Sequence, residues 1–178
     1  MILDAYLMFD IGVAITANGT TQDSTNIIDL HNNVAGVGGI PALANLQGAR
    51  DIGIGDDPAM KLLVVVTVAA TTGTSMSVTL EGAPDNGSGG TGSFVAWYVT
   101  PVYTTAQLVI GARLMDMDMP RPPAAVSIPR FLKLVYTTVS TCNPTVESGI
   151  VLDRMDQPYQ STSNAVMGGY PAGITVAN

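Results

Sequence analysis

Apolar and polar residues along this chain alternate with a period of two, in short segments rich in Val, Ile, Thr, Tyr and Phe, which is the pattern of β-strands with one buried face. Residues 74–81 (TSMSVTLE) show it most plainly: Met76, Val78 and Leu80 fall on one side, and Ser75, Ser77, Thr79 and Glu81 on the other. Residues 106–114 (AQLVIGARL) repeat it, with Ala106, Leu108, Ile110, Ala112 and Leu114 opposed to Gln107 and Arg113. Residues 61–69 (KLLVVVTVA) are apolar at successive positions and predict a central strand buried on both faces. With 5–9, 25–30, 93–100, 130–139 and 148–153 added, the chain predicts about eight short strands and hence an all-β, two-sheet antiparallel sandwich. Little helix is expected, beyond a short turn within 41–49 (PALANLQGA).

The segments between these strands divide the chain further. Residues 82–92 (GAPDNGSGGTG) read as a long exposed hairpin tip, with Asn86 and Gly87 able to supply the positive φ values such a connection needs. Two stretches do not read as core. In 115–123 (MDMDMPRPP), Pro120, Pro122 and Pro123 favour an extended backbone that cannot donate, and the alternating Met and Asp leave one apolar edge. The stretch 155–178 mixes Gly, Ser, Asn and Pro with scattered Tyr159, Met167, Tyr170 and Ile174, and reads either as disordered in isolation or as an arm that orders on a partner. The expected organisation is therefore one sandwich domain over 1–154 followed by an extended tail over 155–178.

Composition adds an unusual surface to this picture. A 178-residue chain buries roughly 70% of its unfolded surface, so a sizeable core is available. Only 12% of residues are charged against 47% hydrophobic, so the surface must be covered by Thr, Ser, Asn, Gln and backbone rather than by Lys and Glu. Such a surface suits burial against neighbours. The 14 acidic and 7 basic side chains give a net charge of −7 with no basic cluster, which disfavours nucleic acid as a partner. The longest apolar run, 62–66, is far short of a membrane span, and the opening MILDAYLMFD has neither the basic start nor the apolar run of an export signal. No membrane association is expected.

Candidate chemistry is sparse. His31 is the sole neutral-pH base, and no G-x-S-x-G elbow presents a serine to it, so an exposed loop residue is the simpler reading. Cys142 (STCNP) has no second cysteine and no adjacent cation, and reads as a buried or half-buried thiol. Asp51, Asp56 and Asp57 in RDIGIGDDP loosely resemble a calcium loop but fail the EF-hand pattern, and turn chemistry explains them better. Asp116 and Asp118 alternate along one segment, where a shared cation and a solvated edge explain them equally. Gly36, Gly38 and Gly39 lack the spacing of a phosphate-cradling loop. Trp97 and Tyr98 offer a sugar-stacking platform on a sandwich face, although such residues are more often core. No catalytic residue, cofactor or metal is expected.

Several framework motifs carry a family resemblance. The opening MILDAYLMFD, STNIIDL (24–30), ARDIGIGDD (49–57) running into LLVVVTV, RFLKLVY (130–136) and ESGIVLD (147–153) together resemble the capsid cement, or decoration, proteins of tailed bacteriophages typified by the Bordetella phage cement protein. The resemblance extends from residue 1 to about 155, with 31–48 as an inserted loop and a long tail as departures. It implies a jelly-roll sandwich made in the bacterial cytoplasm, whose homodimers sit on the virion exterior and bridge major capsid protein subunits. Met119, Pro120, Arg121, Pro122 and Pro123, with Arg154, Tyr159, Met167 and Tyr170, are the expected interface, because those segments have apolar residues without a core of their own. The alternative is a carbohydrate-binding sandwich module of a phage fibre or virion surface.

Overall fold

The computed structural model describes residues 7–30, 60–121 and 129–151. They form β1 (Met8–Ala14), β2 (Thr21–Asp23), β3 (Ile28–Asp29), β4 (Lys61–Val68), β5 (Ser75–Ala83), β6 (Val95–Val99), β7 (Tyr103–Thr104), β8 (Arg113–Asp118), β9 (Phe131–Val139) and β10 (Thr145–Val151). The first sheet has the order β1-β10-β4-β8, and the second β2-β9-β5-β6, with β3 also on β9 and β7 also on β5. Every pairing is antiparallel.

Four of these strands are the halves of two interrupted ones. β2 and β3 pair with Val135–Thr137 and Phe131–Leu132 of the same neighbour, and β6 and β7 divide the length of β5 in the same way. Counted so, the described residues make eight strand positions in two four-stranded sheets. Successive strands cross from one sheet to the other everywhere except at the β5–β6 hairpin. That connectivity is a jelly roll.

The inward faces meet the expectation of alternation. Met76, Val78 and Leu80 are fully buried and Ser77, Thr79 and Glu81 are half-buried on the outer side, whereas Ser75, expected on that outer side, is buried. β4 lies between β10 and β8 with Leu62, Val64 and Val66 in the core, and Leu63 and Val65, on its other face, are buried as well. The main core cluster draws on both sheets, including Phe9, Ile15, Leu80, Leu132, Leu134 and Tyr136.

Three expectations are corrected. Residues 106–114 do not form one strand: a 3-10 turn covers Thr105–Gln107, and a turn closed by the Ala112 N–H on Val109 O reverses the chain through Gly111 at φ 83°. Leu108 is therefore buried whereas Ile110 is exposed, and β8 starts only at Arg113. The Met-Asp alternation of 115–118, expected outside the core, belongs to β8, and Met115 and Met119 are core residues. Met119 donates its N–H to Met60 O, so its backbone is hydrogen-bonded despite the prolines that follow. β1 runs on well past the expected 5–9, because a buried Asp10 and a Gly12 at φ 61° break the apolar alternation that marks a strand.

Candidate functional site

The polar groups most isolated from water lie inside the sandwich. Asp10 of β1 accepts hydrogen bonds from Tyr136 Oη of β9 at 2.6 Å and from Ser148 Oγ of β10 at 3.0 Å on one oxygen, and from the Thr25 N–H at 2.8 Å on the other. All three side chains are buried. Burial, and then the negative charge of Asp10, push the Tyr136 phenol well above its ordinary range. The network ties the two sheets together, and its atoms are closed to any substrate. Ser148 donates to the Asp10 carboxylate and meets the Tyr136 phenol with all three groups buried, so its hydroxyl reaches no substrate.

The ionic clusters are also self-satisfied. Arg130 forks onto Asp29 at 3.0 and 2.9 Å, pairs with Asp85, and lies over the Phe131 ring. Lys133 pairs with Asp23 at 2.9 Å and Glu81 at 3.4 Å and lies over Phe94. Partial burial pulls the Lys133 pKa down, but the hydrogen bond and charge of Asp23, with Glu81 added, outweigh it and raise the net value. Asp85 is held below the ordinary carboxylate range first by the Gly89 N–H, with Arg130 and the Gly87 N–H adding to it against desolvation. The hairpin tip thus takes its shape from Asp85 and Asn86, which cap the N–H groups of Gly87, Ser88, Gly89 and Gly90. Among the described residues no group of three or more His, Cys, Asp or Glu could hold a metal, and no helix is long and apolar enough to cross a membrane.

The opposite end of the sandwich is built differently. Four connections gather there: residues 15–20 between β1 and β2, 69–74 between β4 and β5, 105–112 between β7 and β8, and 140–144 between β9 and β10. None of the four contains a charged residue. They are bound to one another instead. Asn143 Oδ1 accepts the N–H groups of Thr71 and Thr72 at 2.9 and 3.1 Å, and its Nδ2 donates to Thr71 Oγ1. Thr72 Oγ1 donates to Thr141 O, Thr105 Oγ1 to Gly73 O, and the Ala70 N–H to Leu108 O. The Ile15 N–H donates to Pro144 O, and Asn18 and Thr141 form an isolated bridge. Gly73, at φ 94°, sits where any Cβ would collide with the backbone of Thr141.

This braced end presents neutral hydroxyls and amides together with Val109 and Ile110, which are exposed at its margin. Val68 is exposed beside them, bracketed by the hydrogen bonds that join Val66 to Gly111 and Ala70 to Leu108. The adjoining outer face of the second sheet continues the same chemistry: Val139 and Thr104 flank Ser75, while Thr21 and Ser77 flank Thr137. Cys142 is buried under this end, as the sequence predicts, and burial raises its thiol pKa against a hydrogen bond with Thr105.

Of the residues expected at an interface, Met119 is a core residue, Pro120 is half-buried and Arg121 is exposed. Pro122, Pro123, Arg154, Tyr159, Met167 and Tyr170 lie outside the described residues, as do His31, the loop 31–48, the 41–49 turn and Asp51, Asp56 and Asp57. Trp97 and Tyr98 are packed against the core, with the Trp97 indole over Gly82, and none of the described aromatic residues is exposed. The charge-free end went unread because its four pieces are far apart in the chain, although the missing charges are visible in each. In comparisons with known proteins, no family model and no curated protein matched the chain.

Proposed function

We propose that this chain is a non-enzymatic structural subunit of a tailed-phage particle, a cement protein that docks on the outside of the capsid and stabilises contacts between major capsid protein subunits. The observation that carries this reading is the braced, charge-free end of an otherwise acidic jelly roll. Four loops hydrogen-bonded to one another leave little conformational entropy to lose on docking. Neutral hydroxyls, amides and small aliphatic side chains fit another protein surface. A polyanion needs cations there, and a sugar favours exposed rings. The buried Asp10 network and the paired cations leave no accessible acid, base or nucleophile constellation among the described residues. The resemblance in the framework motifs supports the same role.

The mechanism is mass action. A subunit that binds only the assembled shell lowers the free energy of that state, and a two-fold dimer attaching at two points gains further through effective concentration. An interface of roughly 1,200–2,000 Å² at each contact suffices. The test is to mix purified chain with undecorated mature capsids of its own phage. Co-sedimentation and a raised capsid disruption temperature are expected. Absence of binding to every capsid state, with glycan binding by the isolated chain, would replace this reading by the carbohydrate-binding one.

A further inference from the structure

Seven described residues have φ in the left-handed region, and six are glycines: Gly12, Gly19, Gly73, Gly87, Gly89 and Gly111. The seventh is Ser140 at φ 57°. A side chain in that region is strained relative to glycine, so a position shaped only by stability favours Gly or Asn. Ser140 is exposed and lies at the charge-free end, where its own loop meets those of 69–74 and 15–20. Its Oγ is 3.2 Å from Thr74 Oγ1, and its N–H lies beside Gly19, 3.8 Å from where a Cβ at Gly19 would stand. The hydroxyl pair with Thr74 is solvent-exposed, where water competes for both partners and the net gain is small. Local stability therefore gives little reason for a serine here.

We infer that Ser140 is a contact residue of the docking end, its hydroxyl presented to a neutral hydrogen-bonding group on the capsid surface at a cost to the stability of the free subunit. The inference rests on the cement reading above. It also names the chemistry of the partner surface: uncharged, with a backbone or side-chain amide or hydroxyl opposite Ser140. Docking removes water from the Ser140–Thr74 pair, and that is when a strained, pre-positioned hydroxyl acquires its value.

The experiment compares wild type, Ser140→Gly and Thr74→Val for thermal unfolding and for affinity to undecorated mature capsids. Ser140→Gly is expected to unfold at the same temperature as wild type or up to about 4 °C higher, from relief of the positive φ. It is expected to bind capsids at least about fivefold more weakly, because a partner group is left buried and unpaired. Thr74→Val removes the hydroxyl pair but keeps the Ser140 hydroxyl, and is expected to weaken binding by less than Ser140→Gly does. Ser140→Gly binding as wild type does overturns the inference, and so does a parallel loss of stability and binding in both variants, which assigns Ser140 a structural role. A wild-type chain that binds no capsid overturns the cement reading, and this inference with it.

Discussion

At the scale of single residues, the sandwich encloses a buried carboxylate whose hydrogen-bond donors among the described residues are all neutral. Asp10 is stabilised by three donors from three other segments, two of them the buried hydroxyls of Tyr136 and Ser148, which also lie 3.1 Å from each other. Tyr136→Phe keeps the ring in place and removes one donor to an ionised acceptor, so it is expected to lower unfolding stability by about 1.5–3 kcal/mol in chemical denaturation. The same residue sets an alkaline limit. Burial and Asp10 hold the phenol of the folded chain well above the ordinary tyrosine value near 10, so the folded state keeps its proton where the unfolded state releases it. The stabilisation is complete below about pH 10 and is lost as the pH climbs through the raised value. Stability measured from pH 9 to 12 is expected to fall more steeply in wild type than in Tyr136→Phe, and equal slopes would remove Tyr136 from this account.

At the scale of elements, both edges of the second sheet are broken by one device. Ser24 donates its N–H to Leu134 O and accepts the Leu134 N–H on its own Oγ, at 2.8 and 3.1 Å. Thr100 does the same to Val78, at 2.9 Å each way. In each case a hydroxyl stands in for a ladder carbonyl while the edge strand leaves its line, and Pro101 follows directly at the second break. The edges of the first sheet are blunted by the register shifts of β1 and by charges around β8, where Arg113 pairs with Asp116 and Lys61 with Asp118. Edge-to-edge association is disfavoured on all four sides, which leaves loops and faces for assembly. Thr100→Val strands a buried Val78 N–H and is expected to cost about 1–3 kcal/mol in equilibrium unfolding, with no change of fold by circular dichroism. Legibility followed the same physics. β4, β5 and β9 were readable because their alternation or continuous apolar run reflects burial directly, and the Asn86–Gly87 tip because turn chemistry is local. The 106–114 error arose because Leu108 and Leu114 are both buried on opposite sides of a turn, so the period of two survived a chain reversal. The 115–118 error arose because outward Asp116 and Asp118 and three nearby prolines outweighed inward Met115 and Met117.

At the scale of the whole molecule, the deciding feature is where charge is absent. Each of the four loop sequences shows that absence, but only the jelly-roll connectivity places them at one end, whereas the apolar residues of the proline segment and the tail are visible in the sequence itself. A chain of net charge −7 repels other acidic surfaces, and the four loops of this end carry none of that charge. Attachment through it should depend little on ionic strength: affinity for capsids is expected to change by less than about threefold between about 0.05 and 0.5 M salt, whereas attachment through ion pairs weakens steeply over that range. The sharper test places a charge at the margin of the end. Val109 is 53% exposed, so neither Val109→Asp nor Val109→Lys should shift unfolding stability by more than about 0.5 kcal/mol. If the partner surface is neutral, a charge of either sign is desolvated on docking without compensation, and both variants should bind at least about tenfold more weakly. An opposite response, one sign weakening and the other strengthening attachment, would mean that the capsid surface is charged and that the neutrality of this end is not what selects it.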